Sequence, residues 1–174
     1  MTNTARTQSP RHSPEAGFTL IELLIVMSIM LILMALIVPQ VTKVKKTANQ
    51  TSAVNTMQVI GKAEISYNSA YPSNGYACTL SALGGDPKSG APSTQASQLL
   101  DPQLASTGQK PGYTFAITNC TKVTVNNQDQ YTSYQLTAVP QAVGKTGDNG
   151  YCSDENNIIR VDPSGGTNCT QPIQ

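Results

Sequence analysis

Residues 18–38 form a 21-residue run that is apolar throughout except for Thr19, Ser28 and one charge, Glu22, and that ends at Pro39. A helix rises about 1.5 Å per residue, so a run of this length spans about 30 Å, the hydrocarbon thickness of a bilayer. Beyond Pro39 the pattern changes. Val41, Val44, Ala48, Val54, Met57, Ile60, Tyr67 and Tyr71 recur mostly at steps of three and four, with Lys, Thr, Asn and Gln between them. That is amphipathic helical periodicity. Residues 18–71 therefore read as one long helix, apolar all round over 18–38 and packing one face on a globular domain over 39–71. Pro39 removes a backbone donor inside this stretch and should kink it, unless it ends one helix before a second begins. Gly61 is a weak point in the pattern without an evident role.

From residue 72 to 111 the chain turns to Pro, Gly, Ser and Thr, with Gly84-Gly85-Asp86-Pro87 and Ser89-Gly90-Ala91-Pro92 as turn signals, which marks a connecting region. A short helix is expected over 94–104 from Gln95, Leu99, Leu100 and Leu104, limited by Pro102. Residues 112–174 alternate instead. Tyr113, Phe115 and Ile117 share one strand face, Val123 and Val125 mark another short segment, and 131–139 make a strand ending at Pro140. Tyr151-Cys152 and 158–161 follow a turn cluster at 144–150. The expected fold class is α+β: a long N-terminal helix packed on a small antiparallel sheet.

Composition narrows the function. From residue 18 onward eight Lys and one Arg balance six Asp and three Glu, and no basic stripe calls for a nucleic-acid partner. The single histidine is His12, before the apolar run, so the chain beyond it lacks the residue that Ser-His-Asp, Cys-His and His-metal chemistry require. No enzyme activity and no cofactor are expected. The four cysteines, Cys78, Cys120, Cys152 and Cys169, all follow the apolar run, and an even set in a small domain favours an oxidising compartment. Their spacing leaves three connectivities open. The pairing adopted is Cys78 with Cys120 and Cys152 with Cys169; the second pair would tie down the polar C-terminal tail and contribute about 3 kcal/mol through loop-closure entropy. Without a Cys-x-x-Cys spacing, no metal ligands are assigned to them.

The informative residue is Glu22. A carboxylate in hydrocarbon costs roughly 2.5 to 3.5 kcal/mol even on a lenient insertion scale, so a lone one near the start of a membrane-length helix calls for a functional reason. A secretory signal would place its small-residue cleavage site after a short apolar segment, whereas here Ala16-Gly17 precedes a long one. A plain single-span anchor explains the length and leaves Glu22 unexplained. Gly17, Phe18 and Glu22, the fifth residue counted from Phe18, resemble the N-terminal signal of type IV prepilins and type II secretion pseudopilins.

That resemblance implies a specific course. A prepilin peptidase would remove the leader, residues 1–17, by cutting between Gly17 and Phe18 at the cytoplasmic face, and Phe18 would become N-methylated. Glu22 would neutralise the N-terminal amine of a neighbouring subunit as the chain homopolymerises through its N-terminal helix. The partners implied are the peptidase, an inner-membrane assembly platform and minor pilins or pseudopilins. The precursor would be single-pass in the inner membrane with a periplasmic C-terminal domain, and later part of a periplasmic or cell-surface filament. Lys43, Lys45 and Lys46 after the span outnumber Arg6 and Arg11 before it, which by charge alone would put the C-terminal side in the cytoplasm; the cysteines and the resemblance both argue the reverse. Some pseudopilins hold calcium in a C-terminal loop. Asp148, Asp154, Glu155 and Asp162 are the oxygen donors available here, but a solvated turn accounts for them more simply and no metal residues are assigned. A different class of reading is a membrane-anchored periplasmic binding or adhesion module, which would tolerate loss of Glu22.

Overall fold

The computed structural model describes residues 17–173, apart from the side chains of residues 36–39. The expectations for residues 1–16, including Arg6, Arg11, His12, Glu15 and Ala16, lie outside the described residues. Helix α1 (Leu20–Ala70) opens the fold and includes Pro39 within its bounds. The chain divides into two units, Met1–Pro39 and Gln40–Gln174. The elements are a long N-terminal helix followed by a six-stranded antiparallel sheet, an α+β, pilin-like arrangement.

In the first unit, every residue of α1 over 20–35 is exposed, with Leu20 at 88% and Leu31 at 70%. Among the described residues of this unit nothing covers this surface, although its apolar composition calls for a nonaqueous neighbour.

In the second unit, Ala53, Met57, Ile60, Ala63 and Tyr67 turn one face of α1 into a core with Tyr113, Phe115, Tyr134, Leu136, Ala138 and Tyr151 of the sheet. Full burial of a side chain such as Met57 or Ile60 stabilises the fold by about 1.5 to 3 kcal/mol. The packed face starts later than the periodicity predicts. Val41, Val44 and Ala48 are exposed, while Ala53, Ala63 and Glu64, which were not in the expected face, are buried. Sequence period identifies a helical stripe but not how far along it the sheet extends.

The strands β1 (Gln109–Lys110), β2 (Tyr113–Val125), β3 (Gln128–Pro140), β4 (Gly150–Asp154), β5 (Arg160–Asp162) and β6 (Gln171–Pro172) lie in sequence order, each antiparallel to the next. Val123 and Val125 do not form a separate segment; they are the end of β2, which pairs with β3 out to Val125 opposite Gln128. The turn is Asn126-Asn127, both left-handed at φ 52° and 60°, the conformation a two-residue type I′ hairpin needs and Asn tolerates. Asn119, also left-handed at φ 50°, lies in the register shift between Thr118 and Thr121.

Two short helices occupy the connecting region. Helix α2 (Leu80–Leu83) is capped by Thr79, whose hydroxyl accepts from the Ala82 N–H at 3.3 Å. The helix expected over 94–104 is displaced: Ser93 and Ala96 form an isolated bridge, and helix α3 runs Pro102–Thr107. Pro102 begins the helix rather than limiting it, because at the first helical position its missing N–H is an unpaired donor anyway. Asp101 supplies the N-cap by accepting the Leu104 N–H at 2.9 Å, and Gly108 closes the helix at φ 64°.

The loop between β3 and β4 is pinned to α1. Lys46 Nζ reaches Asp148 Oδ1 at 2.8 Å, the Asn49 side-chain amide donates to the Thr146 carbonyl at 2.8 Å, and Tyr113 donates its hydroxyl to the Asn149 carbonyl at 2.7 Å.

Candidate processing and assembly site

Gly17, Phe18 and Thr19 precede the helix, which begins at Leu20. The start is fixed by a reciprocal cap. The Thr19 backbone N–H and its hydroxyl each donate to Glu22 Oε2 at 2.8 Å, and the Glu22 N–H donates back to Thr19 Oγ1 at 3.3 Å. This is the capping box of a Thr-x-x-Glu sequence, and it satisfies donors that the first turn leaves free. It also gives Glu22 a structural task within its own chain: the carboxylate sits in the first turn, where the helix dipole favours negative charge. The peptide bond joining Gly17 to Phe18 thus lies outside the helix, and Phe18 is 88% exposed. Farther along, Ser28 returns its hydroxyl to the Leu24 carbonyl at 2.6 Å, so this polar group in the apolar half is paired locally.

The cysteines are paired as Cys78 with Cys120, Cα atoms 6.0 Å apart, and Cys152 with Cys169, 5.9 Å apart. The first bond ties the connecting region to β2. The second joins β4 to the C-terminal tail across 17 positions.

Three of the four acidic residues considered as oxygen donors have other partners. Asp148 pairs with Lys46, and Asp154 accepts from Arg160 at 3.0 Å. Asp162 accepts from the Ser164 hydroxyl at 2.6 Å, the Ser164 N–H at 2.9 Å and the Asn168 N–H at 2.9 Å. The Ser164 hydroxyl, then these N–H groups, hold its carboxyl below the usual carboxylate range. Among the described residues no group of three or more His, Cys, Asp or Glu side chains gathers as a metal site.

Sequence reasoning missed three residues that the structure brings forward. Thr19 was legible, since Thr-x-x-Glu before an apolar run is itself a helix-start signal. Glu64 was legible as a carboxylate lying at helical spacing among Ile60, Ala63 and Tyr67, and it is fully buried. Asn157 had no sequence signal. It stands over Gly61, where a β-carbon would come 2.2 Å from Asn157 Oδ1, which gives that glycine the role it lacked.

Comparison with known proteins bears on the N-terminus. Residues 12–38 match the prokaryotic N-terminal methylation motif, the prepilin signal of type IV pilins and pseudopilins. The chain therefore carries the signal of a type IV pilin-like or pseudopilin precursor, and the motif implies processing by prepilin peptidase and association with the membrane. Proteins with this signal are structural rather than catalytic. No curated relative and no solved structure matches the chain.

Proposed function

We propose that this chain is a structural subunit of a type IV pilus-like filament, either a type IV pilin or the major pseudopilin of a type II secretion system. The observation that carries the reading is the combination, within the methylation motif, of the Glu22 carboxylate and an apolar helix exposed on every side over residues 20–35. A helix of this kind is comfortable in lipid and then among copies of itself, and both environments are part of a filament subunit's life. Cleavage between Gly17 and Phe18 frees the Phe18 amine, directly before the Thr19–Glu22 cap. Glu22 then meets the N-terminal amine of a neighbouring copy, a pairing that makes two otherwise unfavourable charges tolerable and sets register more than it adds stability. Phe18 is N-methylated, Pro39 bends the helix, and the two disulfides protect the periplasmic or surface-exposed head. The assembly platform and minor pilins or pseudopilins are the remaining partners.

The second unit also leaves surface for neighbours. A groove of about 930 Å³ beside α1 is walled by Val44, Ala48 and Val59 together with Leu100 and Leu104, an uncovered apolar surface that packing of further copies would bury.

The test is the intact mass and N-terminal fragment spectrum of the protein from native membranes. A chain starting at N-methylated Phe18 is the expected result. A chain that still carries residues 1–17 in cells with an active peptidase overturns the reading and favours a plain anchored module.

A further inference from the structure

Glu64 is a carboxyl group in the core of the second unit, with no exposed surface. One oxygen is in use: Oε2 accepts the Ala77 N–H at 2.8 Å. The other, Oε1, is buried and has no hydrogen-bond partner. An ionised carboxylate held in this way forfeits the hydration of a full charge for a single bond, whereas a neutral carboxyl loses far less.

Among the described residues no cation compensates the Glu64 charge. Tyr67 faces Glu64 from α1 and Tyr134 from β3, and each hydroxyl is pushed up first by burial and also by the Glu64 charge. Tyr76, from the segment after α1, packs on Tyr134 with ring centroids 5.1 Å apart. Asp154 and Glu155, at the end of β4, add negative charge that Tyr134 feels, and Arg160 is committed to Asp154. On α1 itself, Lys62 points outward and is exposed. Burial accordingly pushes the Glu64 carboxyl up to about 8, against a smaller opposing effect of the Ala77 N–H.

The bond to Ala77 matters because of what Ala77 belongs to. Residues 71–79 leave α1, cross to the sheet and lead into α2 (Leu80–Leu83). Their other ties are the Tyr76 N–H donating to the Tyr131 carbonyl at 3.0 Å, the Tyr131 N–H donating to the Asn74 carbonyl at 2.9 Å, the Gln130 side chain donating to the Pro72 carbonyl at 2.7 Å, and the Cys78–Cys120 bond. These attach the segment to the sheet. At its start the segment is also tied to α1 through Tyr67, whose carbonyl accepts the Tyr71 N–H at 2.8 Å and whose ring lies 5.0 Å from that of Tyr71; farther along, at Ala77, Glu64 attaches it to the helix.

We propose that Glu64 is a proton-operated latch: neutral, its carboxyl holds the connection between α1 and α2 against the core; ionised, it draws in water and releases that connection from the helix. The sign follows from the direction of the perturbation. A carboxyl held neutral in the fold but ionised in the open chain contributes stability that is fully present below its ordinary value near 4.5 and is lost as pH rises through about 8. The head is therefore tightest in acidic surroundings, loosens progressively at residues 72–77 as pH rises toward about 8, and loosens no further above it.

The experiment uses the full chain in nanodiscs, wild type and Glu64→Gln, with carboxyl-carbon NMR and amide hydrogen exchange across pH 5 to 9.5. In the wild type one glutamate is expected to titrate near pH 8. Exchange at 72–77, corrected for the intrinsic pH effect, should rise about tenfold per pH unit as pH climbs toward that midpoint, as release of one proton on opening requires, and level off above it. Glu64→Gln, which keeps an acceptor for Ala77 and cannot ionise, should show neither change. Titration of every glutamate in the ordinary carboxylate range overturns the proposal. So does a pH-dependent opening that persists in Glu64→Gln, or a low-titrating Glu64 whose protection depends on added calcium. If the variant does not fold, the midpoint read on the wild-type chain by through-bond assignment decides alone.

Discussion

Glu22 caps α1 in the structure and has a second role in the proposed filament. In the precursor its carboxylate is held by the Thr19 N–H and hydroxyl, which begins α1 at Leu20 and leaves Gly17 and Phe18 outside the helix. In the proposed filament the same carboxylate has a second attraction, the amine of a neighbouring copy. The two roles separate by mutation. Gly17→Ala is expected to block most processing, because it alters the residue at the cut. Glu22→Ala should still be processed, since Gly17 and Phe18 are untouched, but should form few or no filaments. Gel mobility of the processed chain and electron microscopy of sheared filaments read the two effects. Normal filaments from Glu22→Ala would remove the charge-pairing account and leave the carboxylate as a helix cap only.

At the level of elements, α1 is governed by what lies against it. Its second half reads as a regular amphipathic helix, yet the buried face begins at Ala53 and includes a glycine, Gly61, that helix propensity alone disfavours. The loop after β4 explains it: Asn157, left-handed at φ 59°, places its side chain where a Cβ on residue 61 would stand. Two effects compete in Gly61→Ala. Overpacking costs about 1 to 3 kcal/mol, and the gain in helix propensity returns about 1 kcal/mol. The substitution should therefore destabilise the chain by up to about 2 kcal/mol on these figures. With Asn157→Gly already present the obstruction is gone, and Gly61→Ala should become neutral or stabilising. A double-mutant cycle in chemical denaturation measures the coupling, and additive effects would show that the close approach is not what requires glycine. Helix α3 carries a related lesson. Pro102 marks where it starts, a reading available from Asp101, Pro102 and Gly108 as cap, first residue and stop.

At the scale of the whole molecule, the two units face different demands. The apolar helix over residues 20–35 has no packed core of its own, and in the proposed filament lipid and then other copies cover it. The second unit has its own core and a sheet whose edge strands β1 and β6 are two residues each. Such short edges offer little for unwanted pairing, but β6 and the tail also gain little from their own hydrogen bonds. The Cys152–Cys169 bond compensates by joining the tail to β4, a strand paired on both sides. Cys152→Ser with Cys169→Ser should cost about 3 kcal/mol, the loop-closure entropy for a loop of this length. The loss should appear as a lower denaturation midpoint and as proteolysis confined at first to the last residues. A double variant as stable and as protease-resistant as wild type would show that the tail is held by its other contacts.

Much of this protein was legible without coordinates because its strongest features are local or periodic. An apolar run of membrane length, one carboxylate at a fixed distance from a Gly-Phe pair, and alternation after residue 112 each express a constraint that acts along the chain. The class of fold and the prepilin signal follow from them. The asparagine hairpin and the Thr19 cap are equally local, since Asn-Asn between two strand segments and Thr-x-x-Glu before an apolar run are signals within a few residues of sequence. What tertiary structure alone decided is different in kind. Which cysteine meets which depends on the path of β2 and the tail, where the packed face of α1 begins depends on the reach of the sheet, and the need for glycine at residue 61 depends on a loop 96 positions away. The state of Glu64 belongs to the same group: its surroundings come from α1, the connecting segment and β3, and a charge's energy is set by what encloses it, which no single stretch of sequence contains.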